Sequence, residues 1–370
     1  MRALRYHGRR DVRLEDLPEP SPGPGEVLIR VAYNGLCGSD VHEYFEGPAA
    51  TTVDPHPLTG CALPCVLGHE FSGQIAELGD GLVDLRIGQL VAVEPIETCL
   101  TCARCRSGHR HLCRKIAFHG YNRHGGGLSE LTVVPRQMVH VLPRGLNALH
   151  GALVEPMAVA RRAVRRTGIR EAGRLVVVHG AGPIGLGALL ALRDAGVHVV
   201  AVDPSPARRA AATALGAQVV VDPAEDDVAS AVRDLTHGLG ADAAIDAAGV
   251  PSAFSAALRS TRPDGIVVLV AHHNDALSLR SGHLIFNEIA ITGSSIYDAD
   301  DFAWVIDAMQ RGAYPLDGWI TTIQLDRAVE DGFEALREQR VNKVLVQLGD
   351  TTHETPSGRS VVEPSEQNGS

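Results

Sequence analysis

Four cysteines fall within fifteen residues, Cys99, Cys102, Cys105 and Cys113, in the spacing C-x2-C-x2-C-x7-C. Thiolates so placed can converge on one tetrahedral ion from a single looped lobe, and a shell of four leaves no open position for a substrate. Such a site is structural. An iron–sulfur cluster is the competing occupant, since closely spaced cysteines hold those too, but the usual placement of its fourth cysteine does not match. Zinc is the reading that fits. A second set of residues is scattered. Cys37 offers a metal thiolate, and Ser39 and His42 a two-step path for a proton. His69-Glu70 sets the commonest metal ligand beside a carboxylate able to complete or exchange a coordination position. Glu155 stands in the apolar run Ala152-Leu153-Val154-Glu155-Pro156-Met157, where a carboxylate is costly to bury unless paired or metal-bound. Its plainer reading is an acid at a helix start beside a proline.

The element that must position a second ligand lies at 174–193. A β-branched run at 175–178 reads as a buried parallel strand, and a stretch of helical length follows it. Between them stands Gly180-Ala181-Gly182-Pro183-Ile184-Gly185, a G-x-G-x-x-G turn in the strand-to-helix context that makes the motif informative. Gly180 permits the tight turn, Gly182 lets backbone approach a pyrophosphate, and Gly185 allows close packing of helix on strand. Pro183 suits the first helical turn, and the N–H groups there, Ile184 among them, face the phosphates. The next run, 197–202, ends in Asp203, placed to bind the ribose hydroxyls of NAD and to repel the extra phosphate of NADP. Arg208 is expected along the adenosine ribose and Arg209 in solvent.

Beyond 203 the chain alternates helix-like pieces at 207–215 and 228–235 with strand-like pieces at 218–221, 243–246, 265–270 and 289–292. Alternation of this kind predicts a doubly wound parallel sheet with the cofactor at its carboxyl edge. A helix at 304–310 and a final strand at 341–346 follow. With 370 residues, 45% of them hydrophobic, two domains with real cores are expected. A net charge of −10 without a basic block argues against nucleic acid or an anionic membrane as partner. No apolar run reaches the ~20 residues of a membrane span. The N-terminus carries charges but no apolar h-region, and all seven cysteines cluster between Cys37 and Cys113. Together these predict a cytoplasmic protein with metal thiolates rather than disulfides.

These residues resemble the zinc-dependent medium-chain dehydrogenase/reductases over about 1–349. The resemblance rests on Gly35-Leu36-Cys37-Gly38-Ser39-Asp40, Gly68-His69-Glu70, the four cysteines, Val154-Glu155-Pro156 and the glycine turn. Cys37 to Tyr44, Pro55-His56-Pro57-Leu58-Thr59-Gly60 and Leu67 to Gly73 look most like its 2,3-butanediol dehydrogenase branch. The resemblance implies an α/β chain: a GroES-like β-barrel catalytic domain at 1–154, with the zinc lobe at about 95–116, and a Rossmann domain at 155–295. The catalytic domain returns at 296–349, and a disordered tail at 350–370 follows. It implies two zinc ions per subunit, one held by Cys37 and His69 with Glu70 and Glu155 sharing the third protein position, and NAD as cofactor. The implied reaction is reversible oxidation of a small vicinal diol, with Ser39 passing the proton through the cofactor ribose to His42. A polyol dehydrogenase of the sorbitol type is the neighbouring reading, and a non-catalytic dinucleotide sensor a distant one. A homodimer or homotetramer is expected. Cys65 and Arg161-Arg162 depart from the branch pattern, at places expected near the site, and touch substrate preference.

Overall fold

Alternate side chains of the run after Arg174 belong to two different cores. In the computed structural model, which describes residues 1–349, Val176 and Val178 pack with the helix Pro183–Asp194. Leu175 and Val177 pack instead with Val228–Leu235 and Pro251–Ser260. A strand covered on both faces has no polar side to show, which is why this stretch is apolar throughout. Leu175–His179 sits inside six parallel strands, in the order Val219–Val221, His198–Val202, Leu175–His179, Ala241–Asp246, Thr261–Leu269, Ala290–Gly293. Strand order reverses beside Leu175–His179, and the crevice at such a point is where open parallel sheets take ligands.

The other unit is built on Glu26–Leu36, which pairs antiparallel with Glu70–Leu78, Leu131–Pro135 and Lys343–Gln347. The seven-stranded sheet around it and a three-stranded sheet enclose a second core that includes Tyr6, Ile29, Leu67, Phe71 and Val344. Lys343–Gln347 thus comes back to the first sheet after the whole parallel sheet has been laid down, Val344 lying opposite Leu36. A hairpin of Ile96–Glu97 with Ala117–Phe118 closes the base of the cysteine lobe.

One helix belongs to both units. Ala148–Arg166 is capped by the Asn147 side chain, packs against Pro183–Asp194 and Ala299–Gln310, and also lies on Glu70–Leu78. The division expected at 154/155 falls inside it. Glu155 and Pro156 therefore stand in the body of a helix and not at its start; Pro156 lacks the N–H that would reach the Ala152 carbonyl. The elements read from pattern between 207 and 346 recur with shifted ends, for example Pro206–Ala214 and Ala299–Gln310. Several helices were not legible, among them Gly38–Glu46, which carries Ser39 and His42, Pro251–Ser260 and Ser281–Asn287. The tail expected at 350–370 lies outside the described residues.

Candidate active site

At the carboxyl edge of the parallel sheet, Gly180 has φ +88°, which glycine adopts without strain. A Cβ on Gly185 would collide with the Gly180 carbonyl, whereas a Cβ on Gly182 would meet nothing within 4 Å. Gly180 and Gly185 are thus small for the turn itself, and Gly182 opens onto space. That space is a cavity of about 640 Å³ lined by Gly180, Gly182, Asp203 and Arg208 among others. Pro183 opens the helix, with Ile184 in its first turn. Asp203 is buried; its Oδ2 accepts from the Ala181 N–H at 2.8 Å and its Oδ1 from the Ser205 N–H at 2.8 Å. Arg208 Nη1 stands 3.8 Å from Asp203 Oδ2. Arg209 is not in solvent: it pairs with Asp222 at 2.8 Å and donates to the Asp203 carbonyl. The carbonyls left open at the start of its helix and the nearby carboxylate draw it back.

The residues scattered as Cys37, His69 and Glu70 converge. One ligand atom from each lies within 4.8 Å of the others. Cys37 is brought there by the end of Glu26–Leu36, and Glu70 by the start of its antiparallel neighbour, Gly35 facing Glu70 across the ladder. His69 Nδ1 lies 3.4 Å from Asp40 Oδ1, both side chains almost fully buried, which leaves Nε2 for a metal. Burial alone would lower the His69 pKa, but the Asp40 charge overcomes it and holds the pKa well above its ordinary value. Asp40 is fixed in turn by the Cys37 N–H at 2.9 Å and the Tyr121 hydroxyl at 2.8 Å. Tyr121 also bridges to Ser39 Oγ at 2.9 Å. Ser39 and His42 lie on the exposed side of their helix, three residues apart and so on one face, with His42 Nδ1 3.3 Å from Glu46. A thiolate, an imidazole and a carboxylate fit zinc with a position to spare.

Glu155 stands beside that group and is not in it. Its carboxyl is buried, and burial first, then the Glu70 charge, push its pKa up to about 7. The buried Tyr297 hydroxyl faces Glu155, and its pKa is raised well above the ordinary value by burial and then by the Glu155 charge. Glu70 is instead ion-paired to Lys343, which also donates to the Leu36 carbonyl at 3.0 Å. Asp40, Tyr121, Tyr297 and Lys343 were missed from sequence. An acid three residues after Cys37 was a visible signal for Asp40; the other three are joined only by folding. Cys65 and Arg161-Arg162 do not reach the group. Cys65 is a buried thiol in the core that holds Tyr6 and Phe71, its pKa pushed up to about 12 by burial. Arg161 lies over Trp304, and Arg162 pairs with Asp298 at 2.5 Å.

In the lobe, the Sγ atoms are spaced 3.6 Å (Cys102–Cys105), 3.5 Å (Cys99–Cys113) and 4.0 Å (Cys99–Cys105). Four thiolates around one zinc at Zn–S ~2.3 Å stand about 3.8 Å apart, so the set fits zinc and is too open for disulfides. Backbone N–H groups point at the sulfurs, Cys102 to Cys99 Sγ at 3.4 Å and Lys115 to Cys113 Sγ at 3.3 Å. Donation from the backbone of Thr101 and Cys102 pulls the Cys99 pKa down to about 6, toward the ligating thiolate.

Two family models match the chain, the alcohol dehydrogenase GroES-like domain over residues 23–144 and the zinc-binding dehydrogenase over 183–311. The (R,R)-butanediol dehydrogenase of Bacillus subtilis (strain 168) is 39% identical over 351 residues, covering 94% of this chain and 99% of that one. The crystal structure of 2R,3R-butanediol dehydrogenase from Bacillus subtilis superimposes with TM-score 0.87 at 38% identity, over 94% and 99% of the two chains. The L-threonine 3-dehydrogenase of Pyrococcus abyssi is 32% identical over 343 residues, 90% of this chain and 94% of its own. A short chain alcohol dehydrogenase from E. coli CFT073, solved with NADH, superimposes with TM-score 0.83 at 27% identity over 94% and 99% of the chains.

Proposed function

Because the chain belongs to the zinc-binding dehydrogenases with an alcohol dehydrogenase GroES-like domain, we propose that it interconverts a small vicinal diol and its hydroxyketone, 2,3-butanediol and acetoin, using NAD and two zinc ions. When bound, zinc supplies a Lewis acid that makes the alcohol more acidic, and the dinucleotide accepts hydride. Cys37, His69 and Glu70 hold the catalytic ion, and Cys99, Cys102, Cys105 and Cys113 the structural one. Asp40 orients His69. Ser39 takes the alcohol proton, and His42, exposed one turn on, exchanges it with water.

The single observation that carries the diol reading is the pair Glu155 and Tyr297. Glu70 has Lys343 as counter-ion, but Glu155 is a buried carboxyl with no ion-pair partner among the described residues and only the Tyr297 hydroxyl beside it. A buried carboxyl without a cation is costly, and a second substrate hydroxyl one carbon from the reacting one can donate to the Glu155 oxygens. A monohydric alcohol leaves them to water, and a site built to hydrogen-bond a hydroxyl rejects the analogue without it. The test compares 2,3-butanediol, sorbitol and 2-butanol on the parent protein and on Glu155→Gln. The diol should exceed 2-butanol in kcat/KM by about tenfold or more in the parent and lose most of that margin in Glu155→Gln. Equal efficiency on 2-butanol sinks the diol reading, and preference for sorbitol moves it to polyols.

The Ala290–Gly293 strand ends the parallel sheet with one side unpaired, and Ile285 and Phe286 on the helix before it are 67% and 87% exposed. An open edge beside apolar side chains supports pairing of two copies edge to edge as a homodimer, or further as a homotetramer. Sedimentation of the purified protein, against a Phe286→Lys variant, tests this. No helix among the described residues is long and apolar enough to cross a membrane. A cytoplasmic location belongs to the same reading.

A further inference from the structure

The last turns of Ala148–Arg166 and the loop after it line a cavity of about 690 Å³ with five arginines, Arg161, Arg162, Arg165, Arg166 and Arg170. Glu155 is on the same helix, but Arg161 is six residues further on, about 240° round at 3.6 residues per turn, and faces away from the metal group. Five guanidinium groups in one recess repel each other unless anions stand among them. Asp298 and Asp301 answer two: Arg162 is 2.5 Å from Asp298, and Arg165 is 2.9 Å from Asp298 and 2.8 Å from Asp301. Asp194, the one carboxylate lining the cavity, is engaged by Arg311 at 3.0 Å. Among the described residues, Arg161, Arg166 and Arg170 have no ion-pair partner. Arg166 spends its guanidinium on the Gly293 carbonyl and the Thr292 hydroxyl. Arg161 sits over the Trp304 ring, 4.3 Å from guanidinium carbon to centroid, and its buried Nε makes no hydrogen bond.

We propose that this cavity binds a small organic anion carrying more than one phosphate. Arginine forks match phosphate oxygens two at a time, and several of them around one recess select for multiple negative charge. The volume is that of a small-molecule site. The stacking of Arg161 on Trp304 holds one fork in place before any ligand arrives, which reduces the entropy lost on binding. The concave shape and the buried Arg161 Nε favour a small molecule over an acidic face of a second copy, which would reach mainly the exposed Arg165, Arg166 and Arg170.

Fructose 1,6-bisphosphate is a suitable probe, titrated calorimetrically into the full chain at fixed ionic strength. Saturating NADH is present throughout, so that the glycine turn at 180–185 is not free to take the phosphates. A saturable site, one per subunit, is expected. Arg161→Gln combined with Arg170→Gln should weaken it by about tenfold or more, while Arg280→Gln, an exposed arginine elsewhere, leaves it unchanged. Where the double variant fails to fold, Arg170→Gln alone serves, with a severalfold loss expected. No saturable binding by the parent, or equal affinity in the variants, overturns the proposal. So does a double variant whose subunit number falls while the bisphosphate has no effect, since the cavity then belongs to an interface.

Discussion

Lys343 and Glu70, 273 positions apart, form an ion pair in which each side chain is only 1% exposed. Glu70 starts one strand and Lys343 another, and both flank Glu26–Leu36. Gly35 lies between them, and a Cβ there would collide with the Glu70 carboxylate. Burial lowers the Lys343 pKa, but the Glu70 charge more than offsets this and raises it, so the lysine stays charged. In the proposed zinc site, Glu70 would be shared between this cation and the metal.

Lys343→Met leaves a buried carboxylate without its counter-ion, which costs about 3–5 kcal/mol. Denaturant unfolding of the chelator-treated protein should show a loss of that size, and Glu70→Gln in the same chain should recover most of it. If Lys343→Met alone unfolds at the parent midpoint, the pair does not hold the site together.

Metal content separates the two proposed zinc sites. The parent is expected to carry two zinc ions per subunit, and Cys102→Ser one, with the lobe at 95–116 becoming protease-sensitive. Cys37→Ser should also fall to one, but without the new cleavage. Two ions retained in Cys102→Ser remove the four-thiolate site.

Ser39→Ala should lower turnover by about a hundredfold, the usual weight of a positioned proton acceptor, at unchanged zinc content. Tyr121→Phe, which removes the hydroxyl bridging Ser39 and Asp40, should do the same less severely. Turnover equal to the parent in Ser39→Ala takes that hydroxyl out of the proton path.

The proposed preference for NAD makes Asp203 the residue to change. Its carboxylate faces the dinucleotide cavity, so NADP must set a phosphate beside a buried like charge. Asp203→Ser, with Arg208 left in place 3.8 Å from where the carboxylate was, should shift the NAD/NADP ratio of kcat/KM toward NADP by about tenfold or more. Comparable efficiency with both cofactors in the parent excludes this discrimination.

Acid should weaken the fold through His119. Burial holds its pKa down to about 3, with Nε2 2.7 Å from Thr132 Oγ1. Between pH 6.5 and 3 the unfolded chain therefore takes up a proton that the folded chain refuses. Stability contributed by the neutral ring is complete above pH 6.5 and falls as pH drops, by about 1.4 kcal/mol per pH unit for one proton. His119→Gln, which cannot titrate, should flatten the slope of unfolding free energy against pH in that window by about this amount. An unchanged slope would show that His119 does not set the acid limit. His179, held down to about 4 by burial, adds a parallel contribution that the variant leaves in place.

Local rules made much of this protein legible in its sequence. The cysteine lobe is one short segment, so spacing alone sufficed, and Gly180, Gly182, Gly185 and Asp203 belong to one strand–turn–helix–strand unit. Strands covered on both faces are apolar at every position, and 175–178 announced the parallel sheet for that reason. What only the tertiary structure decided involves residues joined by chain return. Lys343 reaches Glu70 because the last strand pairs with Glu26–Leu36, and no pattern near Lys343 distinguishes it from a surface lysine. Glu155 meets Tyr297 through packing between helices and loops, and its helix spans both units, which composition could not show. The family resemblance set Arg161 and Arg162 near the site, as departures from the pattern that follows Glu155-Pro156. A helix turns 100° per residue, and that rotation carried them to another face, away from the metal group.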